Sequence, residues 1–154
     1  MPEFYTNAGR KIEVSATLPG TEDQAGYELL TFTEAPKVGN VGDIGPQDTI
    51  NNYTPLRDSN GEAIVLKAQG SRNYGSASVT MAFHPDNEAA ATIIATAHST
   101  RASFSVKDTL PDGQVWYYQC VTPGLMLTGG GPDDTMEYST TFELNTSIVK
   151  VAAP

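Results

Sequence analysis

Apolar and polar residues alternate with a period of two along most of this chain, the pattern of half-buried strands. Ile12, Val14, Ala16 and Leu18 alternate with polar partners until Pro19-Gly20 stops the run. Residues 27–33, Tyr-Glu-Leu-Leu-Thr-Phe-Thr, are rich in β-formers and predict a second strand. The clearest strand is 75–83, where Gly75, Ala77, Val79, Met81 and Phe83 are small or apolar and Ser76, Ser78 and Thr80 are polar. One helix is predicted, over about 86–99. Pro85 suits a first helical turn, and Asp86 and Glu88 suit the positive end of the helix dipole. Ala89, Ala90, Ile93, Ile94 and Ala97 then line one apolar stripe. Ala102, Phe104 and Val106 open another strand, Pro111-Asp112-Gly113 turns it, and 114–122 returns as its hairpin partner. After Gly129-Gly130-Gly131-Pro132, the apolar residues Met136, Tyr138, Phe142 and Leu144 alternate with Glu137, Ser139, Thr141 and Glu143. This last strand is expected to bend near Asn145 and end near Val151. Strands, one helix and more strands predict a mainly β domain with a single helix packed on it.

Between Pro36 and Asn60 the alternation dissolves into Gly39, Gly42, Gly45, Pro46 and Pro55. Read alone this is a loop of more than twenty residues, a length that usually signals function or disorder in a compact domain. Asn60-Gly61 is a hairpin signal that would join a strand near 49–57 to one near 62–68.

The chain's 154 residues allow one domain, 1–154, large enough for a real core. Eighteen Asp and Glu against nine Lys and Arg give a net charge of −9. That argues against phosphate neutralisation as a mode of nucleic-acid binding, and against docking on anionic membranes. The single cysteine, Cys120, excludes an internal disulfide and reads as a small buried hydrophobe. No segment approaches a membrane span, and 1–5 has no basic stretch leading into an apolar one, so folding in a cytoplasm is expected. The sequons at Asn52 and Asn145 then read as accidental.

The residue patterns of catalysis are missing. There is no P-loop, and Gly39-Asn40-Val41-Gly42-Asp43-Ile44-Gly45 has the wrong glycine spacing for a dinucleotide fingerprint. His84 and His98 flank the helix too far apart for the local pairs of a zinc site. Residues 58–62 (Asp-Ser-Asn-Gly-Glu) lack the regular oxygen ligands of a calcium loop and read as a turn. Asp133-Asp134 reads as a solvated turn, and no Gly-x-Ser-x-Gly elbow is present. No catalytic residue, metal or cofactor is expected. What remains is a small β domain with sheet edges to cover, a long loop and two plain termini, 1–9 and 149–154, which together suggest a domain completed by its neighbours.

The order of these features resembles the major tail (tail tube) proteins of long, flexible-tailed phages. A strand reading Ser-Val-Thr-Met-Ala-Phe runs through His84-Pro85-Asp86-Asn87-Glu88 into an alanine-rich helix. A hairpin follows, opening on Arg101-Ala102-Ser103-Phe104 and turning at Pro111-Asp112-Gly113, and the chain closes on Ile148-Val149-Lys150-Val151. The resemblance spans most of the chain and rests on order and spacing. It leaves no room for the additional immunoglobulin-like domain of some relatives. It implies a β-sandwich or barrel with a flanking helix, homo-hexameric rings whose inner strands join into one barrel, and stacking into a helical tube. It implies contact with tail tip (initiator), tape measure and tail terminator proteins, and double-stranded DNA passing through the lumen without specific binding. It implies a place in the virion tail after assembly in the bacterial host cytoplasm.

On this resemblance an N-terminal arm (about 1–10), a loop (about 34–72) and a C-terminal arm (about 149–154) would reach an adjacent ring. The loop residues expected at that contact are Lys37, Val38, Val41, Asp43, Ile44, Asp48, Ile50, Arg57 and Asp58. Exposed ion pairs contribute only about 0–1 kcal/mol each, so the apolar members should dominate. Glu137 and Glu143, on the polar face of the last strand, are the expected lumen-facing carboxylates. The rival reading is a carbohydrate-binding or adhesin-type β-sandwich module, in which Trp116-Tyr117-Tyr118 would supply a stacking platform.

Overall fold

A computed structural model describes residues 4–57 and 59–154. The strands are β1 (Lys11–Ser15), β2 (Thr33–Ala35), β3 (Val38–Val41), β4 (Ile50–Tyr53), β5 (Leu66–Gln69), β6 (Ser76–Ala82), β7 (Phe104–Thr109), β8 (Val115–Val121), β9 (Leu125–Thr128), β10 (Glu137–Leu144) and β11 (Val149–Val151). The helices are α1 (Gln24–Glu28) and α2 (Glu88–Thr100), the second entered through a 3-10 turn, Pro85–Asn87. All strand pairing is antiparallel, in the order β2-β1-β7-β8-β10-β6-β3, with β11 added to β8 and β9 to β10.

The sheet folds back on itself at a corner. There β8 meets β10 only through Val121 opposite Glu143 and Cys120 opposite Leu144. Two half-sheets result, β2-β1-β7-β8-β11 and β3-β6-β10-β9, and the core lies between them. Ile12, Val14, Phe104, Val106 and Tyr118 come from the first, and Val79, Met81 and Phe142 from the second. Phe104 and Phe142 meet edge to face across the gap, with centroids 5.4 Å apart. Such a pair adds about 0.5–1.5 kcal/mol beyond its buried area. Helix α2 covers one side of the core with Ala90, Ala91, Ile94 and Ala97, which are buried. Ala89, assigned to the stripe by spacing, is exposed and Ile93 half-buried.

Local chemistry explains where α2 begins and what it holds. His84 Nδ1 accepts the Asp86 backbone N–H at 3.1 Å, and Pro85 needs no donor there. Asn87 is fully buried. Its Nδ2 donates to the carbonyls of Ala82 (2.8 Å) and Lys37 (3.2 Å), and its Oδ1 accepts the Lys37 N–H (3.1 Å). One side chain thereby ties the β2–β3 turn to the end of β6.

Three expectations change. Residues 27–33 are not a strand, because Asp23 caps a helical turn: its Oδ1 accepts Gly26 N–H at 2.8 Å and the Thr21 hydroxyl at 2.7 Å. A Cβ on Gly26 would lie 2.0 Å from the Thr21 carbonyl oxygen, so the turn requires glycine. It places Tyr27 flat against Tyr117, with centroids 5.1 Å apart, and strand structure starts only at Thr33. The region expected as a loop from residue 34 contains the end of β2 and all of β3. At the C-terminus, Val149–Val151 pairs with β8, so half of the expected arm belongs to the sheet.

Candidate assembly surfaces

The loop that remains is a β arm. β4 and β5 pair with each other alone, with Ile50 opposite Gln69 and Tyr53 opposite Leu66. Bonds from Thr49 N–H to Ser71 O (3.0 Å) and from Gln47 N–H to Asn73 O (2.9 Å) carry the ladder down to the body. At its root Asp48 Oδ1 accepts the Asn73 N–H (3.0 Å) and Asn73 Oδ1 accepts the Gly75 N–H (2.9 Å). Gly75 has φ +99°, and a Cβ there would lie 1.9 Å from the Gly45 carbonyl oxygen. The joint between arm and body therefore requires glycine.

Every residue of β4 and β5 is exposed. Tyr53 and Leu66 lie on one face of the ribbon, and Ile50 and Lys67 on the other. Leu56, in the broad turn, is completely exposed, and Ile64 and Val65 are about half exposed. A two-stranded ribbon with both faces in water is marginal by itself, and its unpaired edges invite further pairing. The Asn60-Gly61 hairpin expectation holds in outline, with Gly61 at φ +83°. The paired segments, however, are Ile50–Tyr53 and Leu66–Gln69, with a longer turn between them.

The nine residues expected at the ring contact separate accordingly. Asp48 braces the arm's root, Ile50 lies on the arm, and Arg57 lies in its turn. Asp58 lies outside the described residues. Asp43 is exposed on the segment from β3 to the arm. Val38 and Val41 sit on β3 and, with Ile44, pack half-buried on the chain's own core, so their apolar surface is largely used inside the subunit. Lys37 lies in the β2–β3 turn, 3.9 Å from Asp86.

A second surface is the outer face of the half-sheet β3-β6-β10-β9. Register places Glu137 beside Ala82, Ser139 beside Thr80, Thr141 beside Ser78 and Glu143 beside Ser76. Their even-numbered neighbours Phe142 and Leu144 point into the core. The outer face thus carries hydroxyls, Asn40 and the exposed Met126, with a carboxylate toward each end of β10, Glu143 exposed and Glu137 half-buried. None of its four strands contains Lys or Arg. β3 and β9 are its two free edges.

A third surface was not legible in the sequence. Phe83 N–H bonds to Met136 O at 3.0 Å, Leu127 lies opposite Tyr138, and the Phe83 and Tyr138 rings are 5.3 Å apart. Phe83, Leu127 and Met136 are 43–51% exposed. They form an apolar mouth where the two half-sheets diverge, at the end of β6 far from the arm.

The remaining polar groups are structural. Arg10 reaches into the body and clasps Asp108, which is fully buried, with Nε donating to Oδ1 at 2.9 Å and Nη2 to Oδ2. That hydrogen bonding holds the Arg10 pKa above its ordinary value and fixes the base of the N-terminal segment. Burial pushes the Cys120 thiol well up, which keeps it protonated and inert. Among the described residues no three His, Cys, Asp or Glu side chains gather where they could hold a metal ion. Tyr117 and Tyr118 are buried on opposite faces of β8, and Trp116 lies under the Lys150 ammonium, 4.5 Å from its ring centroid. The three rings therefore do not share one stacking face.

These surfaces belong to a fold with solved counterparts. No family model and no curated protein matches the sequence. A chain in the tail of an empty gene transfer agent particle, solved by helical refinement with C6 symmetry, is similar with a TM-score of 0.66 at 14% identity. The match covers 97% of this chain and 100% of that one. A chain of the anti-feeding prophage baseplate, 6-fold symmetrised, is similar at TM-score 0.65 and 6% identity over 99% and 98% of the two chains. A chain from the sheath/tube terminator of an extracellular contractile injection system follows at TM-score 0.61 and 11% identity, over 97% and 99%. The chain shares the fold of these tail and injection-system chains. It is mainly β, as the strand pattern predicts.

Proposed function

We propose that this chain is the repeating structural subunit of a tail-type tube, acting without catalysis. Hexameric rings form through the free edges of β3 and β9, rings stack through the arm, and the hydroxyl-and-carboxylate face of β10 and β6 lines the bore. The observation that carries the reading is the full-length likeness, in both directions, to a chain of a particle tail refined with C6 symmetry. The uncovered arm supports it independently, because a ribbon exposed on both faces is explained by a neighbour that covers it.

The bore chemistry follows from the residues. Duplex DNA gains affinity by releasing counterions to Lys and Arg, and the four strands of the proposed bore face contain neither. Glu137 and Glu143 repel phosphates over the 8–10 Å that salt leaves unscreened. A genome then passes without a binding minimum. A tip protein would initiate growth, a tape measure would occupy the lumen, and a terminator would cap the tube. The assembled tube would reside in the virion tail.

Negative-stain electron microscopy beside size-exclusion chromatography, across concentration and with preformed tail tips added, tests this. Hollow stacked rings are expected. A monomer at every concentration that also fails to extend a tip would overturn the proposal.

A further inference from the structure

The apolar mouth leaves Phe83, Leu127 and Met136 about half exposed, and the chain carries a matching surface elsewhere. We infer that the mouth formed by Phe83, Leu127, Met136 and Tyr138 is the seat for the arm tip of a second copy of this chain. The inference rests on the tube reading and names the two surfaces that would join ring to ring.

Three observations support it. First, the shapes are complementary. Beside Phe83 and Tyr138 lies a recess of about 160 Å3, lined also by His84, Pro85 and Glu88, with room for a single aliphatic side chain. In the arm's turn Leu56 is 100% exposed, the most exposed of its aliphatic side chains. Second, the charges are complementary. Arg57, next to Leu56, has no ion-pair partner among the described residues, and the exposed Glu88 lines the recess, whereas Asp86 nearby already lies 3.9 Å from Lys37 and 3.4 Å from His84. Third, the placement is directional. The arm roots at Gly75, before the first residue of β6, and the mouth opens at Phe83, after the last. Seven residues of strand separate them, about 23 Å. Arm root and mouth are different surfaces at opposite ends of one strand, so a contact between them can repeat from copy to copy. They join head to tail, and such contacts continue into a filament.

Seeded elongation tests the seat. Fragments of wild-type tube are mixed with Leu56→Asp, which retains the mouth, or with Phe83→Asp, which retains the arm. Met136→Asp serves as a second mouth variant, and circular dichroism melts confirm that each monomer is folded. Each variant is expected to cap only one end of a seed, and the two together to stop growth at both ends. Burying a Leu-sized side chain corresponds to at least about a tenfold rise in the critical concentration for stacking when it is lost. Arg57→Glu and Glu88→Arg should each weaken elongation, and their combination should restore it.

Elongation of both the arm-tip and the mouth variants at the wild-type rate would overturn the seat and leave the tube intact. Elongation blocked by Phe83→Asp but unaffected by Leu56→Asp would give the mouth to another segment of the neighbour and overturn the assignment of the arm. Wild-type protein that forms no tube, with or without a tip, would overturn both readings.

Discussion

Excising the arm separates its part in folding from its part in assembly. The variant replaces residues 47–73 with a four-residue Gly/Ser linker. A short linker suffices, because the Gly45 carbonyl already lies against Gly75 and the two cut ends are neighbours. No residue of the hydrophobic core lies in the excised segment. Shortening the connection from about 27 residues to about 4 relieves closure entropy of roughly (3/2)RT ln(27/4), or ~1.7 kcal/mol. The arm's own ladder already restricts that segment, so this figure is an upper bound. A domain of this size gains about 2–4 °C in Tm per kcal/mol. The melting temperature should therefore stay level or rise by up to about 7 °C, with a single cooperative transition. Calorimetry on the monomer measures this, and seeded elongation on the same sample should read zero. A fall of more than about 5 °C, or a broadened transition, would refute the claim that the body folds without the arm. Elongation at the wild-type rate would refute the arm's role in assembly.

Three further outcomes follow from particular residues. Asp108→Asn leaves the Arg10 guanidinium without its carboxylate; breaking a buried pair from one side costs about 3–5 kcal/mol, and the 10% exposure of Arg10 reduces this to roughly 2–3 in urea unfolding, a loss under about 1 refuting it. Tyr118 is fully buried with an unpartnered hydroxyl, and burial raises its pKa well above 10.0. Because the folded value lies above the unfolded one, the phenol's contribution is fully present below about pH 10 and lost as pH rises further. Tyr118→Phe should thus be neutral, or stabilising by up to about 1 kcal/mol, at pH 7 and should move alkaline unfolding to higher pH; an unmoved alkaline limb would count against it. Glu137→Lys with Glu143→Lys should change monomer stability by less than about 0.5 kcal/mol each, yet make assembled tubes retain duplex DNA at low salt, seen as raised anisotropy of a labelled duplex; unchanged retention would remove these carboxylates from the bore.

The elements legible in the sequence are those whose own residues fix their state. β6 and β10 alternate cleanly because one face meets the core and the other meets water. α2 is announced by Pro85 and Asp86, and the β7–β8 hairpin by Pro111-Asp112-Gly113. The elements that escaped depend on partners distant in sequence. Val38-Gly39-Asn40-Val41 has little strand character, and it becomes β3 because β6 offers an edge and Asn87 clamps the preceding turn. Leu125–Thr128 becomes β9 because β10 pairs with it. The stretch 27–33 misleads because its β-forming composition is outweighed by a capped turn begun four residues earlier at Asp23. The arm was visible as a hairpin, but not that both its faces stand in water. The mouth had no local signal at all, since Phe83, Leu127 and Met136 come from three separate segments.

The placement of these surfaces bears on why such a subunit builds a polymer rather than a closed pair. The free edges β3 and β9 lie on opposite sides of one half-sheet, and the arm and mouth lie at opposite ends of one strand within it. In the proposed tube each contact joins two different surfaces, edge to edge or arm to mouth, and is heterologous. The proposed edge contact would run across the strands and close when six copies complete a circle. The arm contact runs along them and does not close. Two such contacts at right angles generate a cylinder, and the face bounded by the two edges becomes its wall. That face is also the one whose strands lack Lys and Arg. A net charge of −9 on each copy opposes premature association of monomers, because like charges must be brought together before the apolar tip and mouth can meet. A nucleus that already presents six mouths at fixed positions relieves the orientational part of that barrier, so growth from a tip is favoured over growth in solution.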